Sequence, residues 1–296
     1  MGWEEYLITL YLRICKEYKE NLCFNCQRFT NGGKKAFTDE EVMVIYLIGV
    51  LKGFKNIKAL HRYTSDHLKP WFPALPQYAA FIHRVNRLHE AFRQLIANLQ
   101  AEQVTEEDDG VYLMDSFPIM LAQHNHAYTA KVAREVANRG YCSTKKLHYH
   151  GVKAHVVARK RPGSLPDLEI LMIEEASRHD GPIFDQMRPM LHNNLGFGDQ
   201  AYKRPDAQYI EMEQNLMILT PIKRARGQVK LNQEQRTFSK AVSRMRQPIE
   251  ALFNWINRIT SIENAGLVRS TAGLLSHVFG KFAAAMLLRT YPLSDF

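Results

Sequence analysis

The chain has 296 residues, 46% of them hydrophobic and 23% charged, and its formal net charge at pH 7 is +9. These proportions are typical of a globular protein. A domain averages about 150 residues, so the length predicts about two domains. The longest apolar run, residues 42–51, is far shorter than the roughly 18 residues that a membrane span needs. Four cysteines argue against a disulfide framework, so we expect a cytoplasmic protein without a membrane partner.

The first part of the chain, residues 1–104, is predicted to be an α-helical domain. Helices are expected near residues 1–20, 40–51, 56–67 and 77–100, and three prolines separate the last two. A single CxxC, at Cys23 and Cys26, lacks the second pair typical of zinc sites, and we interpret it as helix-end cysteines.

A helix-turn-helix module that binds DNA is one interpretation of this helical domain. The alternative is an ordinary helical bundle, because residues 1–110 contain equal numbers of basic and acidic residues. If the domain binds DNA, a group of basic residues is expected to contact it: Lys55, Lys58, His61, Arg62, Arg84 and Arg87.

The second part, residues 111–296, is predicted to be an α/β domain that follows an acidic linker. Its hydrophobic periodicity predicts strands and helices in the order β-β-β-α-β-α-β-α. This order is typical of ribonuclease H-like folds, which have a mixed sheet flanked by helices. The expected strands are 111–114, 146–158, 168–173, a short one ending at 198–199, and 216–221; the helices are 182–191, 204–214 and one bearing Glu250.

The excess positive charge lies in this second part, in two dense blocks. Residues 131–161 contain nine basic residues and one acidic residue, and residues 223–246 contain eight and one. Solvated loops are one interpretation of such blocks. Because two of them precede parts of the site described next, we favour binding to nucleic acid, whose phosphates attract clustered lysine and arginine.

Three acidic residues in different local contexts are the candidate catalytic site. Asp115 follows a short apolar run, Asp199 ends another, and Glu250 lies on a periodic helix. Carboxylates that two strands and a helix bring together could hold a pair of Mg²⁺ ions, which prefer oxygen ligands. His179 and Asp180 could also lie nearby, but helix capping explains Asp180 and both are left outside the site.

The helix around Glu250 has a continuous apolar stripe that is expected to pack on the sheet: Val242, Met245, Ile249, Leu252, Phe253, Ile256 and Ile259. Glu250 and Arg246 fall at the edge of this stripe. An ordinary surface ion pair four residues apart is the alternative explanation for them. Pro248 is expected to kink the helix or to start it afresh.

At these positions the chain resembles the DDE transposases of bacterial insertion sequences. The similarity extends from about residue 45 to the C-terminus, through the segments FPALPQYAAFIHRVNRL, LMDSFPI, RGYCSTKKLHYHGVKAHVV, ASRHD, GDQAY and RQPIEALFNWINRITSIENAGLVRS. The resemblance implies that Asp115, Asp199 and Glu250 are the metal-binding triad. Ser243 and Asn257 stand where the resemblance leads us to expect tyrosine and lysine.

The resemblance also implies a mechanism: cleavage at the element's terminal inverted repeats and strand transfer into target DNA, with two Mg²⁺ ions, or Mn²⁺ in their place. It implies a homodimer on double-stranded DNA, in the bacterial cytoplasm and on the nucleoid. The residues expected to contact DNA phosphates are Arg246, Lys145, Lys146, Lys153 and Arg258. A related magnesium-dependent nuclease and an inactive DNA-binding relic are the alternatives.

Overall fold

The computed structural model describes residues 2–26, 36–103, 110–204 and 208–292. In chain order their elements are α1 (Trp3–Glu20), α2 (Asp39–Leu51), α3 (Ile57–His67), α4 (Tyr78–Arg87), α5 (His89–Glu102), β1 (Val111–Gln123), α6 (His126–Thr129), β2 (Asn138–Cys142), β3 (Leu147–Arg159), β4 (Asp167–Glu175), α7 (Asp180–Met187), β5 (Asn194–Phe197), α8 (Gln208–Glu213), β6 (Leu216–Leu219), α9 (Gln233–Thr260) and α10 (Thr271–Thr290). The predicted linker lies mostly outside the described residues.

The chain forms two compact units, one helical and one built on the sheet. The helical unit comprises Met1–Glu102, Lys131–Glu135 and Ile256–Phe296, and the sheet unit comprises Gln103–Ala130 and Val136–Trp255. The sequence-based division at residues 104 and 111 assigned the C-terminal helices to the second domain. The compact helical unit includes them instead, because α10 packs against α2, α4 and α5.

The core of the helical unit is formed by two helices that are apolar on all sides. Every residue from 42 to 51 of α2 is buried, as are most residues of α10. A Cβ atom at Gly280 would lie 2.4 Å from the Tyr46 ring, so glycine permits the close approach of these helices. By length and hydropathy α10 could cross a membrane, but 67% of its apolar window is buried, as in a core helix.

One helix that was predicted in this unit is divided into two in the structure. Residues 77–100 were expected to be continuous, but α4 ends at Arg87 and α5 begins at His89. The Leu88 amide donates to the Val85 carbonyl three residues before it, which tightens the turn and interrupts the α-helical pattern.

The sheet has the strand order β2-β3-β1-β5-β6. Strand β3 is antiparallel to β1, β2 and β4, whereas β1, β5 and β6 are parallel. The predicted order of strands and helices is therefore found, with β2 and the short α6 in addition. The short β2, NRGYC, contains no alternating apolar residues, so its sequence gave no strand signal.

Two boundaries near the candidate site differ from the prediction. Strand β1 continues to Gln123, so Asp115 lies within the strand and does not follow its end. Helix α7 begins at Asp180 with His179 as its N-cap, so the expected capping role of Asp180 is wrong.

Helix α9 is continuous over 28 residues and does not start afresh at Pro248. Its predicted apolar stripe is confirmed: Val242, Ile249, Leu252, Phe253 and Ile256 are buried, and Met245 and Ile259 are half-buried. The long buried stripe explains why the helix tolerates a proline that lacks one backbone donor.

Candidate active site

The register of two parallel strands brings Asp115 and Asp199 to the same end of the sheet. Leu113 of β1 pairs with Phe197 of β5, the last residue of that strand. Asp115 and Asp199 each lie two residues further along their chains. Equal offsets from paired positions in parallel strands place both carboxylates at one level, at the carboxyl end of β5.

Glu250 reaches this site because α9 packs on the same part of β1. The rings of Phe117 and Phe253 lie 4.7 Å apart, centroid to centroid, and both side chains are buried. Phe117 follows Asp115 by two residues and Phe253 follows Glu250 by three, so this contact fixes the helix that bears Glu250 beside the strand that bears Asp115.

The guanidinium of Arg246 lies between two of the three carboxylates. Its Nη1 is 2.5 Å from Oδ2 of Asp115, and its Nη2 is 2.8 Å from Oε1 of Glu250. The pair of Arg246 and Glu250 is therefore more than a surface ion pair along one helix, because the same guanidinium also binds Asp115. It supplies positive charge where two acidic side chains meet.

Burial dominates the electrostatics of Asp115. Burial raises the pKa of Asp115 to about 6, the Arg246 guanidinium opposes that rise, and the nearby Asp199 and Glu250 carboxylates add to it. Burial likewise raises the pKa of Asp199, whereas a hydrogen bond from the Ala201 amide lowers it. Ionising two buried carboxylates close together costs free energy, and a cation bound between them would lower that cost.

A fourth carboxylate, Asp180, borders the site and was left outside it by the sequence. Its Oδ1 accepts hydrogen bonds from the Ser116 hydroxyl at 3.1 Å and the Lys153 ammonium at 3.0 Å. It also lies 3.5 Å from Nδ1 of the buried His155. Ser116 is adjacent to Asp115, so Asp180 is connected to the triad through one side chain. The sequence signal was the RHD triplet in the segment ASRHD.

Burial shifts two neutral groups in the same region away from their charged forms. It lowers the pKa of His155 to about 4, and it raises the pKa of Tyr202 well above its usual value. The Tyr202 hydroxyl is buried and forms no hydrogen bond in the described part of the chain, although the carboxylates of Asp115, Asp180 and Asp199 influence it. An orphaned hydroxyl beside carboxylates is a place for a water or for another oxygen-bearing group.

The donor chemistry of the triad fits a hard divalent cation, because carboxylate oxygens are its preferred ligands. Within the described residues, however, no three His, Cys, Asp or Glu side chains are close enough together to hold a metal ion. Arg246 explains this spacing, since its guanidinium separates Asp115 from Glu250.

The residues expected to contact DNA differ in their surroundings. Lys145, Lys146 and Arg258 are exposed, as are Lys55, Lys58, Arg62 and Arg87. Lys153 is half-buried and bonded to Asp180 and the Arg178 carbonyl. Seven of the eight basic residues of the 223–246 block are exposed, Arg246 being the exception.

Arg84 corrects the predicted DNA-contacting set. It is 9% exposed, and it binds the Asp39 carboxylate and the Phe37 carbonyl inside the helical unit. The amphipathic α4 turns this residue inward, so it stabilises the packing of the N-terminal end of α2 and does not face DNA.

Comparison with protein families decides the identity of the sheet unit. The family model described as transposase DDE domain matches residues 105–269, more than half of the chain. The chain belongs to the DDE transposase domain family. The matched span includes all three residues of the triad, and membership implies a transposase-type nuclease activity with DNA as the partner. No curated protein and no solved structure matched the chain.

Proposed function

We propose that this DDE transposase cleaves DNA at the ends of an insertion sequence and transfers the freed strand into target DNA. The observation that carries the proposal is the convergence of Asp115, Asp199 and Glu250 at one end of the sheet, within a family whose members are transposases. The fold we propose is ribonuclease H-like, supported by an antiparallel set of strands followed by the parallel β5 and β6.

Asp115, Asp199 and Glu250 would hold two Mg²⁺ ions, or Mn²⁺ in their place. Bound divalent ions supply Lewis acidity, which activates the attacking oxygen and stabilises the leaving oxygen of a phosphodiester. Burial raises the pKa of Asp115 and Asp199, so their ionised forms are costly in free energy. A bound cation would lower that cost, which supports this assignment.

Arg246 binds the carboxylates of both Asp115 and Glu250. Its guanidinium would also contact a DNA phosphate beside the triad, a contact that positions the strand without reading its sequence. Lys153 and Ser116 hold Asp180 beside the triad, so that its charge adds to the field at Asp199.

Two sets of exposed basic residues are proposed to bind the DNA. Lys145, Lys146 and the block 223–246 would bind the strand at the active site, together with Arg258. Residues 1–104 would act as a DNA-binding domain that recognises the terminal inverted repeats, through Lys55, Lys58, Arg62 and Arg87. Joining two element ends requires two active sites, so we propose a homodimer on DNA, in the bacterial cytoplasm and on the nucleoid.

Cleavage of a labelled duplex that carries the repeat flanking the gene tests this function. Wild-type protein should nick the duplex with Mg²⁺ but not with EDTA, and Asp115→Asn should abolish the nick. Glu213→Gln, which alters an exposed carboxylate on α8 in the same unit, is the matched control and should leave cleavage intact.

The products separate the alternatives. Joined strands identify a transposase, and cleavage without joining identifies a related nuclease. DNA binding without cleavage, unchanged by Asp115→Asn, would identify a DNA-binding relic and refute the catalytic role of the triad.

A further inference from the structure

The helical unit contains a partly enclosed cavity of about 180 Å³ that has no role in the proposed chemistry. That volume far exceeds the roughly 10–15 Å³ that a single water needs. Its lining includes several basic and polar residues: Lys55, Asn56, Arg269, Ser270, His277 and Lys281. Among the described residues that line the cavity, none is an aspartate or a glutamate.

Lys281 is a buried ammonium without a counter-ion in the described structure. Its side chain is 4% exposed, and its Nζ donates one hydrogen bond, to the Ser261 carbonyl at 3.1 Å. An ammonium has three donors, so a single neutral acceptor leaves most of its capacity unused. Burial lowers the pKa of Lys281 to about 7, and Lys55 lowers it further, as expected for a cation that lacks an anionic partner.

The neighbouring groups do not neutralise this charge. His277 binds the Ile262 carbonyl through Nε2, and burial lowers its pKa to about 3, so it is neutral at physiological pH. Arg269 donates to the Gly266 and Val268 carbonyls, which carry no charge. Glu135 accepts a hydrogen bond from Thr271 but does not line the cavity.

The N-cap residues of two helices also line this cavity. Asn56 is the N-cap of α3 and Ser270 is the N-cap of α10, and both residues line it. The N-terminal end of a helix carries partial positive charge, which adds to that of the three basic side chains.

We propose that this cavity binds a phosphate group, with Lys281 at its base and Lys55 and Arg269 at its rim. Phosphate oxygens would accept hydrogen bonds from the unused donors of Lys281, and the negative charge would partly offset the charges of the three basic side chains. The phosphate belongs either to a free oxyanion or to the backbone of bound DNA. This site lies in the helical unit, so its test does not require cleavage activity.

Thermal unfolding of the full chain tests the free oxyanion. Sodium phosphate is compared with sodium chloride at equal ionic strength, for the wild type, Lys281→Met, Arg269→Gln and the control Lys16→Gln. Lys16 is exposed on α1 and does not line the cavity. Phosphate should raise the melting temperature of the wild type and of the control, and Lys281→Met should weaken the binding by about tenfold or more.

Proton uptake gives a second readout that general destabilisation cannot mimic. Sulfate is titrated near pH 8 by calorimetry in buffers of different ionisation enthalpy, because sulfate does not itself titrate there. Binding beside Lys281 should draw a proton onto its amine in the wild type and in Lys16→Gln. Lys281→Met should bind without proton uptake.

A short labelled DNA duplex distinguishes the two sources of phosphate. If free oxyanion has no effect, but Lys281→Met weakens duplex binding at least tenfold relative to Lys16→Gln, the site holds a backbone phosphate. If neither oxyanion nor duplex distinguishes Lys281→Met and Arg269→Gln from Lys16→Gln, the proposal is wrong.

Discussion

Replacing Asp115 by asparagine should stabilise the protein at neutral pH while removing its activity. Folding raises the pKa of Asp115 from its ordinary 3.8 to about 6, because burial penalises the carboxylate more than Arg246 stabilises it. The side chain is 19% exposed, so solvent screening removes little of this penalty. A tenfold change in ionisation is worth about 1.4 kcal/mol, and the rise from 3.8 to about 6 therefore corresponds to roughly 3 kcal/mol.

The sign of the effect sets its pH dependence. The unfolded chain loses the Asp115 proton near pH 4 and the folded chain near pH 6, so stability falls as pH rises through this window and stays low above it. Asparagine resembles the protonated carboxyl group at every pH. Asp115→Asn should therefore increase the free energy of unfolding by up to about 3 kcal/mol near pH 7 and by almost nothing below pH 4.

Urea unfolding in EDTA, followed by circular dichroism at several pH values, measures this difference. Glu250→Gln is the matched control, because its side chain is 52% exposed and its replacement should change stability by less than about 1 kcal/mol. The reasoning is refuted if Asp115→Asn is no more stable than the wild type near pH 7. A gain of equal size near pH 4 would refute the assigned cause.

Three further substitutions test the packing and charges of the two units. Phe253→Ala should cost about 3–5 kcal/mol in urea unfolding and reduce DNA cleavage, because it removes the contact with β1, whereas the exposed Asn254→Ala should do neither. Arg246→Lys should abolish cleavage like Arg246→Met, since one ammonium cannot replace a guanidinium that binds two carboxylates, and cleavage at the wild-type rate would contradict that role. Arg84→Gln should destabilise the fold by about 3–5 kcal/mol, because it removes the buried guanidinium that binds the Asp39 carboxylate and the Phe37 carbonyl, whereas exposed Arg87→Gln should alter DNA affinity instead, and the reverse pattern would contradict this assignment.

Much of the sheet unit could be predicted because its hydrophobic periods are strong. The alternation along β3 and the apolar stripe of α9 indicate a strand and a helix without knowledge of the fold. The three carboxylates could be singled out because each follows or borders such an apolar segment. Their proximity could not be derived in this way, because it depends on the register of Leu113 with Phe197.

The features that sequence analysis missed depend on contacts between distant segments. From the sequence alone, helix capping was a sufficient explanation for Asp180, and its bonds to Ser116 and Lys153 were seen only in the structure. Arg246 bridges the carboxylates of Asp115 on β1 and Glu250 on α9, so its position depends on both elements. Arg84 was predicted to contact DNA from its positive charge alone, and charge does not indicate which face of α4 is buried. The inward orientation of its side chain is evident only from its bonds to Asp39 and Phe37.

The most direct test of the central claim is whether the triad carboxylates bind the catalytic metal ions themselves. Asp115→Cys and Asp199→Cys replace hard oxygen ligands by thiolates, which bind Mn²⁺ better than Mg²⁺ in comparable sites. Glu213→Cys, at an exposed carboxylate on α8, is the control. We expect both triad variants to lose cleavage of the repeat duplex in Mg²⁺ and to regain part of it in Mn²⁺, with the control active in either metal. Equal loss in both metals, or full activity of either triad variant in Mg²⁺, would contradict the assignment.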